Sequence, residues 1–143
     1  MRLRRYYYAL SLLFVFGIPA AVTGYLVWDH IYLPQFLVFV GVILMLGTAY
    51  DLWAARHGKH DPVWIWTFNH KNTLGIRIYD LPIEEYIFYL ASSIYIVFLW
   101  EGIKIAIQTD GGNIGKTLPL IALWSVGGIV WLYIFREKKD KVR

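Results

Sequence analysis

The chain has 143 residues, 58% of them hydrophobic, with seven tryptophans and a mean hydropathy of +0.48; this excludes an ordinary soluble domain and describes a small integral membrane protein. The net charge of +4 has a plain origin in membrane topology and in attraction to anionic lipid head groups. With no soluble module that interleaves basic and aromatic residues, it does not point to nucleic acid. The absence of cysteine rules out disulfides, thiolate catalysis and cysteine-ligated metals.

A membrane-spanning helix needs about 20 predominantly apolar residues to cross a hydrocarbon layer of about 30 Å. In chain order, the stretches 7–28, 34–53, 82–107 and 117–135 meet that requirement. None alternates apolar and polar residues as a membrane barrel strand does. The expected fold is therefore all-α, a single integral membrane domain over 1–143 with about four transmembrane helices. The first stretch follows Arg2, Arg4 and Arg5 as a signal peptide would, but it is long and has no small-x-small cleavage site after it, so it is expected to be retained.

Basic residues set the orientation, since cytoplasmic loops keep positive charge. Arg2, Arg4 and Arg5 precede the first span, and Arg56, Lys59, Lys71 and Arg77 lie between the second and third. Arg136, Lys138, Lys139, Lys141 and Arg143 follow the fourth. Of the 14 basic residues only Lys104 and Lys116 fall elsewhere. Both termini are expected in the cytoplasm. Lys104 lies near a helix end with Glu101 three residues before it, which suits a helical ion pair.

The polar stretch 54–81 concentrates the unusual side chains, and Glu84 and Glu85 follow it at once. Pro82 suits the first turn of a helix, so both glutamates are expected in the first turn of the third span. Two readings compete. Carboxylates at a helix N-terminus are favoured by its dipole, and tryptophans and tyrosines there are ordinary interfacial anchors. Adjacent glutamates, however, point about 100° apart on a helix, so at least one is expected to face protein. Asp51 can approach from the same end of the second span. Three carboxyls in one interfacial pocket can hold an acid beside a base.

Other signals are weaker. His57, His60, Asp61 and His70 are too few for a histidine-box di-iron site, and a solvated loop is the default reading. Gly111-Gly112-Asn113-Ile114-Gly115 lacks the spacing and preceding strand of a nucleotide-binding loop and is expected to form a tight turn. No cofactor is indicated.

At this point Tyr50-Asp51-Leu52-Trp53, Trp66-Thr67-Phe68-Asn69, Gly75-Ile76-Arg77 and Leu81-Pro82-Ile83-Glu84-Glu85 converge. Together they resemble the membrane lycopene cyclase domain of bacterial heterodimeric and fungal fused carotenoid cyclases, with its Pro-x-Glu-Glu/Asp signature. The resemblance runs over about 34–101 and the cyclase-like core over about 34–107; Tyr50 stands where the pattern has tryptophan. The resemblance implies redox-neutral cyclisation of the linear ends of lycopene or a related carotenoid, an intramolecular lyase or isomerase of the lycopene β-cyclase type in carotenoid (terpenoid) biosynthesis. Glu84, Glu85 and Asp51 are the candidates for acid, base and cation stabiliser, their individual roles unassigned.

Aromatic faces stabilise cations, so Trp53, Trp66, Phe68, Tyr86 and Phe88 are candidates to line the reacting end, with packing or interfacial anchoring as the alternative. Arg77 either clamps a carboxylate or marks the cytoplasmic side. Asn69 either holds the loop or a carboxylate, or serves in a turn or helix cap, and Pro82 belongs to the signature itself. Since active members combine two copies of the domain, a homodimer or a second cyclase-domain subunit is implied, in a prokaryotic cytoplasmic membrane with the site near its cytoplasmic face. The alternative function is a noncatalytic membrane subunit or carotenoid-binding protein whose glutamates only cap a helix.

Overall fold

Pro19 shapes the first of four helices that are long and apolar enough to cross a membrane, Tyr7–His30, Leu33–His57, Ile83–Gln108 and Gly112–Val130. The computed structural model describes residues 6–58, 73–109 and 112–140, with side chains up to residue 130. The first span is built from α1 (Tyr7–Leu12), a π turn (Leu13–Gly17), α2 (Ile18–Val27) and a 3-10 turn (Trp28–His30). Proline has no amide hydrogen, so Pro19 leaves the Val15 carbonyl without its helical donor. Donors from the last helix supply the need: Ser125 Oγ bonds Val15 O at 3.3 Å and Trp124 Nε1 bonds Phe14 O at 3.0 Å. An unsatisfied carbonyl in hydrocarbon is costly, which makes the wider turn and its donors one device.

The other spans are α3 (Leu33–Gly58), α4 (Ile83–Gln108) and α5 (Gly112–Asp140). Two boundaries differ from the expected ones. Helix α3 continues past residue 53 to Gly58, its last turn carrying Arg56 and His57, where positive charge opposes the helix dipole. Helix α5 begins at Gly112 rather than near 117, so Gly112 to Gly115 open a helix instead of forming the expected tight turn. Gly112 takes a φ of +36°, tolerable for a residue without Cβ.

A two-strand ladder precedes α4: β1 (Arg77–Ile78) runs antiparallel to β2 (Leu81–Pro82), pairing Arg77 with Pro82 and Ile78 with Leu81. Pro82 thus stands one residue ahead of the helix, not in its first turn, a position where its missing donor still costs little. Ile83 N donates to Ile76 O at 3.0 Å and the Tyr86 hydroxyl to Ile78 O at 3.1 Å, which ties the hairpin to the first turn of α4. Gly75 (φ 83°) and Tyr79 (φ 54°) supply its left-handed backbone.

The chain divides into two compact units, Met1–Leu12 with Tyr32–Ile94 and Leu13–Ile31 with Tyr95–Arg143. In the second, Gly24 admits the Phe98 ring, whose atoms would lie 2.6 Å from an added Cβ. Trp28 packs edge-on to Phe98 at 6.3 Å. The Ser125 and Tyr95 hydroxyls share a hydrogen bond at 3.0 Å, and Lys104 pairs with Glu101 at 2.6 Å, as the spacing indicates. In the first unit the usual distribution of polarity is inverted. Leu37, Val38, Met45 and Leu46 on α3 are exposed, while Asp51, Glu84 and Glu85 are buried.

Candidate active site

The candidate site lies within the first unit, at the end shared by the start of α1, the last turns of α3 and the start of α4. Glu84 is 0% exposed, Asp51 1% and Glu85 6%. Their seclusion follows from helix phase. Successive positions on α4 turn by about 100°, and each glutamate finds a different cover. The Leu74 amide, just before Gly75, donates to Glu84 Oε1. The Tyr8 hydroxyl of α1 donates to Glu85 Oε1 at 2.8 Å. Neither acceptor is used by an amide of α4's own first turn, so these side chains do not cap their helix by hydrogen bonding.

Asp51 completes the group from α3. Its carboxyl neighbours those of Glu85 and the hydroxyl of Tyr89. Both its oxygens nonetheless stay buried without a hydrogen bond of ordinary geometry, as do Glu84 Oε2 and, one turn earlier on α3, Thr48 Oγ1. Buried polar atoms are almost always satisfied, so four such atoms around one acidic cluster form a site with acceptor positions to spare. Gly47, one turn before Asp51, makes room for Tyr89: a Cβ there would overlap the tyrosine ring. Phe88 packs edge-on to Tyr89 at 5.2 Å, and Pro82 is buried beside the glutamates' turn.

Other candidates stand apart from this group. Trp53 is two residues beyond Asp51, about 200° around the helix; it is exposed and stacks with Tyr50 at 5.8 Å and His57 at 4.5 Å. Arg77 is exposed in β1 and forms no ion pair with a carboxylate among the described residues. Among the described residues the donors to the glutamates are Leu74 and Tyr8. Tyr86 turns to the hairpin. Trp66, Phe68, Asn69, His60, Asp61 and His70 lie outside the described residues. Among the described ones, no three His, Asp or Glu side chains converge in a metal-ligating arrangement.

Tyr8, Tyr89 and Gly47 are the residues that sequence reasoning missed. Tyr8 follows Tyr6 and Tyr7, both exposed, and the triplet reads as an interfacial belt. The usable signal was topological: the start of the first span belongs at the same membrane face as Asp51 and the glutamates.

Four helices long and apolar enough to cross a membrane, with a buried acidic cluster where three of them begin or end, define a class of small, predominantly helical proteins. The lycopene cyclase family model matches residues 4–103, well over half of the chain, and the protein belongs to the lycopene cyclase family. The match takes in Tyr8, Asp51, Glu84 and Glu85, and it includes the first span, which the motifs by themselves left outside. No curated protein and no solved structure matches the chain.

Proposed function

We propose that the protein is a carotenoid cyclase, or the subunit of one, that closes the linear ends of lycopene or a related carotenoid by proton transfer. The observation that carries this reading is the buried trio of Asp51, Glu84 and Glu85 with acceptor positions unfilled. A carboxylate that serves only as a dipole partner gains about 0.3–1 kcal/mol at the surface, whereas a buried polar group left without its hydrogen bond costs about 1–3 kcal/mol, and more if charged. Burial of three carboxyls within one site is thus a net cost that helix capping does not offset, and ionisable groups retained at such a cost are functional by default.

The chemistry needs only protons. One carboxylic acid protonates the terminal double bond, and the resulting tertiary cation is attacked by the internal double bond five carbons away, closing a six-membered ring. A neighbouring carboxylate removes a proton from the ring to leave a cyclic alkene. The proton gained and the proton lost cancel, no electrons are transferred, and the product is an isomer of the substrate. Asp51, Glu84 and Glu85 supply acid, base and the negative potential that stabilises the cation, and the rings of Tyr89 and Phe88 add their negative faces.

The same reading places the chain in a cytoplasmic membrane with both termini and the acidic site at the cytoplasmic face, and with a second cyclase-domain subunit, identical or related, beside it. Turnover in deuterium oxide tests the mechanism. Each new ring acquires one deuterium if a solvent-exchanged acid starts the reaction; rings closed without deuterium, or products that differ from the substrate in hydrogen count, contradict it.

A further inference from the structure

We infer that Tyr8 is the positioning residue for Glu85, aiming its carboxyl at the reacting double bond; this rests on the cyclase reading above. The three carboxyls are held differently. Glu84 accepts a hydrogen bond from a backbone amide, Glu85 accepts one from the Tyr8 hydroxyl at 2.8 Å, and Asp51, beside the Tyr89 hydroxyl, has none of ordinary geometry. The Tyr8 hydroxyl arrives from 77 positions earlier in the chain, on a different helix. A carboxyl on a flexible glutamate side chain samples several rotamers. A hydrogen bond to Oε1 selects one of them, with the carboxyl held beside that of Asp51. Proton transfer tolerates little error in distance or angle, so the fixed orientation acts on the chemical step and not on carotenoid binding.

The test uses the full-length protein in lipid vesicles, with initial rates of ring closure measured over a range of lycopene concentrations, together with infrared spectra of its carboxyl groups. The Glu85 band is assigned by its loss in Glu85→Gln. Tyr8→Phe should shift that band, lower kcat by about 10- to 100-fold and leave KM within about twofold. A second pair of variants guards against misfolding: 4-aminophenylalanine at position 8 keeps a donor and should recover most of the rate, while 4-methylphenylalanine, of the same size, should not. Wild-type kcat in Tyr8→Phe, or equal losses from the amino and methyl analogues, overturns the role of Tyr8 alone. Wild-type protein that turns over no linear carotenoid while the infrared shift persists overturns the cyclase reading, and the positioning role falls with it.

Discussion

Gly47 on α3 and Tyr89 on α4 are packed so closely that the glycine has no space for a Cβ: the tyrosine ring occupies it. The ring's hydroxyl end neighbours Asp51, one turn further along α3. The contact between two apolar helices therefore also determines where a polar group of the acidic site can stand. Gly47→Ala should destabilise the protein by about 1–3 kcal/mol through overpacking, and should lower turnover by more than the loss of folded protein explains. Thermal unfolding in detergent together with rates per folded molecule separates the two effects.

The carboxyls themselves give the most direct variants. Glu84→Gln, Glu85→Gln and Asp51→Asn each keep size and shape. If these groups carry proton transfer, at least two of the three should lose cyclisation by about 10²-fold or more. Membrane insertion should be unchanged. Pigment analysis of membranes containing matched amounts of each variant reads the result.

Gly75 is the next sensitive point. Its φ of 83° lies in the left-handed region, and it follows the residue whose amide holds Glu84. Gly75→Ala should cost about 1–3 kcal/mol in backbone strain and reduce turnover, whereas an alanine at neighbouring Ile76, which is exposed, should have little effect on stability. Parallel melting curves make the comparison.

Much of this arrangement is legible in the sequence. The four spans followed from apolar length, and Asp51, Glu84 and Glu85 stood out because acidic side chains are scarce in such segments. Helix faces were not legible. Spans that are apolar all round do not reveal which side meets lipid, so Tyr8 was indistinguishable from Tyr6 and Tyr7, and the partnership of Gly47 with Tyr89 left no local trace. For Arg77 both readings stayed open in the sequence, and its position near the glutamates did not disclose that it stands exposed in the hairpin. The π turn depended on Ser125 and Trp124, donors about 110 positions away.

Those two donors provide a control outside the acidic site. Ser125→Ala leaves the Val15 carbonyl without its side-chain donor, and Trp124→Phe does the same to Phe14 while keeping an aromatic ring against Phe14, now at 4.7 Å. Each should cost about 0.6–1.7 kcal/mol and leave turnover per folded molecule unchanged, as thermal unfolding and vesicle assays will show.

Topology is open to test because the chain has no native cysteine. Single cysteines at Tyr79, which is 83% exposed, and at Asn113, at the start of α5, should react with opposite sidedness. A membrane-impermeant maleimide added to intact cells should label Asn113→Cys and spare Tyr79→Cys until the membrane is opened. The reverse pattern would put the acidic site at the outer face.

The measurement that bears most directly on the acidic trio as a cyclisation site is pigment chromatography from a lycopene-accumulating bacterium expressing this chain, beside a strain expressing Glu85→Gln at the same membrane level. Cyclic carotenoid in the first strain and unchanged lycopene in the second is the predicted result. The same cyclic product in both would contradict it, as would unchanged lycopene in both when a second cyclase-domain subunit is expressed alongside.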